Sequence, residues 1–79
     1  MACINPDGTL STVARALLEL LETPHAHEAS ASSLNLPLFR IRATARELTH
    51  AQLIENTAEG LVRTPLGDEA LILDAEAER

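Results

Sequence analysis

The chain contains a single aromatic side chain, Phe39. Any core must therefore be built from Leu, Ile, Val and Ala, and richness in Leu and Ala favours helix over sheet. A chain of 79 residues is sized for one domain, residues 1–79. It can bury only a modest core, so association with a partner is a natural supplement. Hydrophobic residues make up 46% of the chain, which argues against wholesale disorder.

Charge is the main datum about partners, and it points two ways. The formal charge is −6 and there is no lysine. Residues 37–52 carry Arg40, Arg42 and Arg46 against Glu47, a local balance of +2. Residues 66–79 carry Asp68, Glu69, Asp74, Glu76 and Glu78 against Arg79, a balance of −4. An acidic whole repels nucleic acid at long range, yet a local basic patch can still dock phosphates. The one cysteine, Cys3, cannot form an internal disulfide. With no long apolar run and no signal-peptide layout, the expected location is cytoplasmic, away from membranes.

Along the chain, Cys3–Ile4 can form a small edge strand before the Pro-Asp-Gly turn signal. Ser11 is a plausible N-cap for a helix over about 12–22. There Val13, Leu17, Leu20 and Leu21 share one face, Ala14 and Leu18 widen it, and Arg15, Glu19 and Glu22 lie opposite. Thr23-Pro24 ends it. Residues 27–34 form either a short helix ending at Asn35 or a serine-rich loop, with only Ala29, Ala31, Leu34 and Leu36 suited to burial. Pro37 suits the first turn of a helix over 37–52. That helix hides Leu38, Ile41, Ala45 and Leu48. Phe39, Ala43, Arg46 and His50 lie opposite, flanked by Arg40, Arg42 and Thr44. Leu53–Thr57 and Leu61–Thr64 read as a hairpin around Ala58-Glu59-Gly60, with the glycine supplying a positive φ. Thr64 caps a last helix with Pro65 in its first position. Leu66, Ala70 and Leu73 form its seam, Leu71 and Ile72 fall off it, and residues 74–79 read as a solvated or frayed tail.

This order resembles the winged helix-turn-helix domains of prokaryotic transcriptional regulators. "SSLNLPLFRI" looks like the second helix, the turn and the start of the recognition helix. "ARELTHAQLIEN" looks like its end running into the first wing strand. "LVRTPLGDEAL" looks like the second wing strand and a threonine-capped helix, and "CINPDGTLSTVARALLELL" like the leading strand and first helix. The resemblance covers nearly the whole chain, to about residue 73. It implies an α+β, mainly α fold: a three-helix core, a short β-hairpin wing and a C-terminal helix. The family usually has a glycine where Gln52 sits and a bulky aliphatic where Ser30 sits. The wing tip, "TAEG", has no cation.

The resemblance also implies a function: a small DNA-binding transcriptional regulator whose third helix docks in the major groove of double-stranded DNA. Arg40, Arg42, Thr44 and Arg46 would be the contacts, since arginine bonds bidentately to guanine or pairs with phosphates. These arginines can instead neutralise carboxylates of the protein itself or of a partner. Phe39, Leu71 and Ile72 are the candidate interaction and dimer residues, because exposed side chains of this kind mark interfaces. Burial of Phe39, and a last helix that ends early and tucks in Leu71 and Ile72, are the competing readings. A homodimer is expected, since winged helices of this kind commonly pair through terminal helices. The alternative function is an acidic winged-helix interaction or dimerisation module with a protein partner and no DNA. His25 and His27 lack the further ligands a metal site needs, Cys3 reads as a small buried hydrophobe, and no serine–histidine constellation suggests catalysis. No enzyme activity, metal or other cofactor is expected.

Overall fold

The computed structural model describes Ile4, Asn5 and residues 9–77. Its elements are α1 (Thr12–Leu20), α2 (His27–Leu34), α3 (Leu38–His50), β1 (Ile54–Thr57), β2 (Gly60–Arg63) and α4 (Pro65–Ala77). Four helices and one antiparallel hairpin among the described residues make an α+β, mainly α architecture. The order is compatible with a winged helix-turn-helix layout, β1–β2 occupying the wing position.

Local chemistry sets most of the element ends. The Ser11 hydroxyl accepts from the Ala14 N–H at 3.1 Å, satisfying one of the free donors at the start of α1. Two helices stop in the same way. After α2, Asn35 adopts the left-handed conformation at φ 54, and the Leu36 N–H reaches back to the Ala31 carbonyl at 3.0 Å. After α3, Gln52 does so at φ 66, and the Leu53 N–H reaches the Leu48 carbonyl at 2.9 Å. The left-handed cap is therefore made by a glutamine, a residue with a β-carbon, where glycine would carry no steric cost. Thr64 joins this stop to the next helix. Its Oγ1 donates to the Gln52 carbonyl at 2.7 Å and accepts from the Gly67 N–H at 3.1 Å.

The core gathers Leu10, Ala14, Leu17, Leu18 and Leu21 with Ala45 and Leu48 of α3 and Ile54 and Leu61 of the hairpin. Ile4, Leu34, Leu53 and Leu71 pack partly buried against it. The buried face of α1 is thus centred on Ala14, Leu17, Leu18 and Leu21, while Val13 and Leu20 lie at its half-exposed margins. In α2 the fully buried residue is Ser30, not Ala29, and its hydroxyl donates to the Ala26 carbonyl at 2.9 Å. That local bond satisfies a polar atom in an apolar setting, which is why a serine can occupy this position.

The hairpin pairs Ile54 with Arg63, Glu55 with Val62, Asn56 with Leu61 and Thr57 with Gly60. Its sheet gains a neighbour from the segment after α1. The His25 N–H donates to the Leu61 carbonyl at 2.9 Å, and the Leu61 N–H to that of His25 at 2.8 Å. The Arg63 N–H donates to the Leu21 carbonyl at 2.8 Å. Ile4 bridges Leu10 instead of joining this sheet, and Cys3 lies outside the described residues.

The largest departure concerns α4. Leu66 and Leu73 of the expected seam are 49% and 54% exposed, whereas Leu71 packs against the core. The inward face instead carries Gly67, Leu71 and Asp74. Two long-range contacts set this rotation. A β-carbon on Gly67 would stand 2.2 Å from the Leu53 carbonyl oxygen, so only glycine allows the first turn to sit there. Seven residues on, Asp74 is 1% exposed. Its Oδ1 accepts from the Leu10 N–H at 2.8 Å and its Oδ2 from Arg15 Nε at 2.7 Å. The segment expected to fray is helical through Ala77 and holds a buried carboxylate. Arg15, expected on the outer face of α1, turns toward it.

Candidate nucleic-acid interface

The outward face of α3 carries Phe39, Arg42, Ala43, Arg46 and His50, all exposed, with Phe39 at 70%. Arg40 is half-buried on another flank. Thr44 is removed from the expected contact set: it is 4% exposed and packs beside Ile41, Ala45 and Leu48 on the inner side of the helix. A side chain there cannot reach a base edge.

Arg42, Arg46 and His50 are spaced four residues apart, so they form one row along the helix, about 6 Å from one to the next. The row borders a groove of 570 Å³ between α3 and the hairpin. Thr49 and His50 line it toward the end of α3, Asn56 lines it from β1, and His27 from the start of α2. Ala45 and Leu61 form its apolar floor. His27 is delivered there by the pairing of His25 with Leu61, two residues earlier. Among the described residues no carboxylate lines this groove.

The ion pairs separate the arginines into two groups. Arg15 pairs with Asp74 and Arg63 with Asp68, and both hold α4 to the rest of the fold. Arg63 also donates from Nη1 to the Leu18 carbonyl at 3.0 Å. Among the described residues, Arg40, Arg42 and Arg46 form no ion pair. The reading in which they neutralise the protein's own carboxylates therefore has no contact to support it among the described residues.

The candidate interaction residues divide. Phe39 and Ile72, at 70% and 58%, are exposed, while Leu71 belongs to the interior. In its place Leu66 and Leu73 face outward, with Ala70 half-buried between them and Ala77 exposed beyond. Hydropathy misled here because the inner face of α4 contains a glycine and an aspartate, whereas its outer face contains leucines.

The histidine pair also divides. His25 Nδ1 donates to the Thr23 carbonyl at 2.8 Å, whereas His27 lines the groove. Among the described residues no cluster of three or more His, Cys, Asp or Glu side chains can hold a metal ion, and no helix is long and apolar enough to cross a membrane. His27, as a partner of the arginine row, was not legible from sequence spacing. No protein family model matches the chain, and no curated protein shows significant similarity to it.

Proposed function

We propose that this chain is a small cytoplasmic winged-helix protein that binds double-stranded DNA as a transcriptional regulator, docking α3 in the major groove. The carrying observation is that the α3 arginines have no ion pair within the described chain while Arg15 and Arg63 do. Leaving cations unpaired in a protein of charge −6 is reasonable where an external anion completes them. Arg42 and Arg46 are the principal contacts and Arg40 a flanking one. The wing tip, Ala58-Glu59, offers no cation, so the wing contributes through its groove side.

The test is fluorescence anisotropy of a labelled mixed-sequence duplex at low and moderate salt. Non-specific binding is expected at roughly micromolar to 100 micromolar, weakening as salt rises. Arg42→Ala combined with Arg46→Ala is expected to weaken binding about tenfold or more and to lower the salt slope by about 1.8, two phosphates' worth. An unchanged affinity in the double variant rejects the assignment.

The second reading, an interaction module that pairs with a second copy, is favoured by the exposed stripe on α4. Leu66, Ala70, Leu73 and Ala77 recur at helical spacing along one face. In one antiparallel register, Leu66 meets Ala77 of the second copy and Ala70 meets its Leu73, so every leucine is set against an alanine. Such self-complementarity is what a two-fold interface requires. Glu69 and Glu76 flank the stripe, and in this register Glu69 of one copy would lie near Glu76 of the other, so this pairing is expected to tighten as salt rises, opposite in sign to duplex binding. Sedimentation velocity should show a dimer that Leu66→Glu with Leu73→Glu converts to monomer. A monomer at high concentration in the unaltered chain would exclude the pairing. The two readings are compatible, since a two-fold pair presents two α3 helices to one duplex.

A further inference from the structure

We propose that the groove between α3 and the hairpin is a proton-linked site for a phosphoryl anion, held by Arg42, Arg46, His27 and His50. It shares its arginines with the duplex reading and rests on that reading only where the anion is a backbone phosphate. The same chemistry serves a free phosphate ester.

Four side chains that can carry positive charge line this groove of 570 Å³ from two elements, α2 and α3, and Asn56 lines it from β1. A guanidinium presents a planar fork that fits two phosphoryl oxygens. A protonated imidazole donates from both ring nitrogens. The row formed by Arg42, Arg46 and His50 can therefore hold one anion across a helical turn or two successive anions along it. Histidine is the side-chain type whose charge ordinarily changes between about pH 5 and 8. Protonation of both rings would raise the groove's charge from that of two arginines to that of four cations.

The surrounding charges favour this linkage. From α3 the histidines meet Arg42 and Arg46, and from the hairpin only Asn56 and Leu61. Glu28, next in the chain to His27, lines a different groove, formed with Asn35, Leu36 and Pro37. Glu47, Glu55 and Glu59 are exposed and lie outside the lining. With no carboxylate lining the groove among the described residues, a bound anion is the counter-charge available to an imidazolium there. Anion binding and proton uptake then reinforce each other.

The experiment follows His27 and His50 ring resonances by NMR in the full chain, at constant ionic strength, at pH 5.5 and 8. Inorganic sulfate and a mixed-sequence duplex are the probes, because neither changes charge over this range. Both rings are expected to respond, His25 serving as the internal control. Affinity should rise about tenfold between pH 8 and 5.5, the effect of one or two added charges at the groove. His27→Gln with His50→Gln should abolish that rise and leave the folded spectrum intact, since neither ring is part of the core. Response to both probes supports the site. Response to the duplex alone supports it and identifies backbone phosphate as the anion. Response to sulfate alone supports a free phosphate ester and rejects the duplex reading. Silent rings with both probes, or a pH dependence that survives in the double variant, overturns the proposal.

Discussion

Replacing Asp74 with alanine is expected to destabilise the protein by about 2 to 4 kcal/mol, because the carboxylate is buried and bonded on both oxygens. Its loss leaves the Leu10 N–H without its acceptor and removes the anchor of α4 to α1. The Arg15 side chain is 34% exposed and can turn toward water, which keeps the cost below that of a fully buried pair. In a domain of this size each kcal/mol moves the midpoint by about 4 to 8 °C, so a fall on the order of 10 to 25 °C is expected. Thermal unfolding followed by far-UV circular dichroism measures it. Asp74→Asn keeps an oxygen for the Leu10 N–H and should lose less than the alanine variant. A fall of less than about 3 °C for Asp74→Ala would show that this latch does not hold the helix.

Replacement of Gly60 by alanine carries the other large effect, of about 3 kcal/mol or more. Gly60 has φ +123, a conformation that L side chains rarely adopt. A β-carbon there would lie 2.6 Å from the His25 carbonyl carbon and 2.9 Å from the Ala26 nitrogen. Both neighbours are backbone, so relief requires the segment after α1 to withdraw from the hairpin. Amide hydrogen exchange at His25 and Leu61 is expected to accelerate more than exchange within α1. Because His27 follows directly, duplex binding should weaken along with stability. Unchanged exchange at these two amides would mean that the pairing does not depend on the glycine.

The parts of this fold that were legible in the sequence are those fixed by neighbours in the chain. Ser11, Asn35 and Thr64-Pro65 mark helix ends because a cap or a left-handed stop is decided within a few residues. That Arg42 and Arg46 lie one turn apart follows from helical spacing alone. What escaped was decided by contacts far along the chain. The rotation of α4 depends on the Leu53 carbonyl meeting Gly67 and on Leu10 and Arg15 meeting Asp74. A hydropathy pattern reads the glycine and the aspartate as surface. Ser30 and Thr44 are polar by type and interior by position, and His27 reaches the groove only because His25 pairs with Leu61. The candidate site was thus half visible: its helix row could be read locally, and its second wall could not.

The joining of His25 to Leu61 and of Leu21 to Arg63 also bears on the order of events as the chain folds. All of α2, α3 and β1 lies between these partners, so they close a long loop. The hairpin and single turns of helix are microsecond structures in isolation. Closure costs chain entropy before the helices inside the loop gain their packing. The arrival of the segment after α1 at the edge of the hairpin is therefore the step expected to be slow, and α2, short and built around a serine, is expected to settle after it.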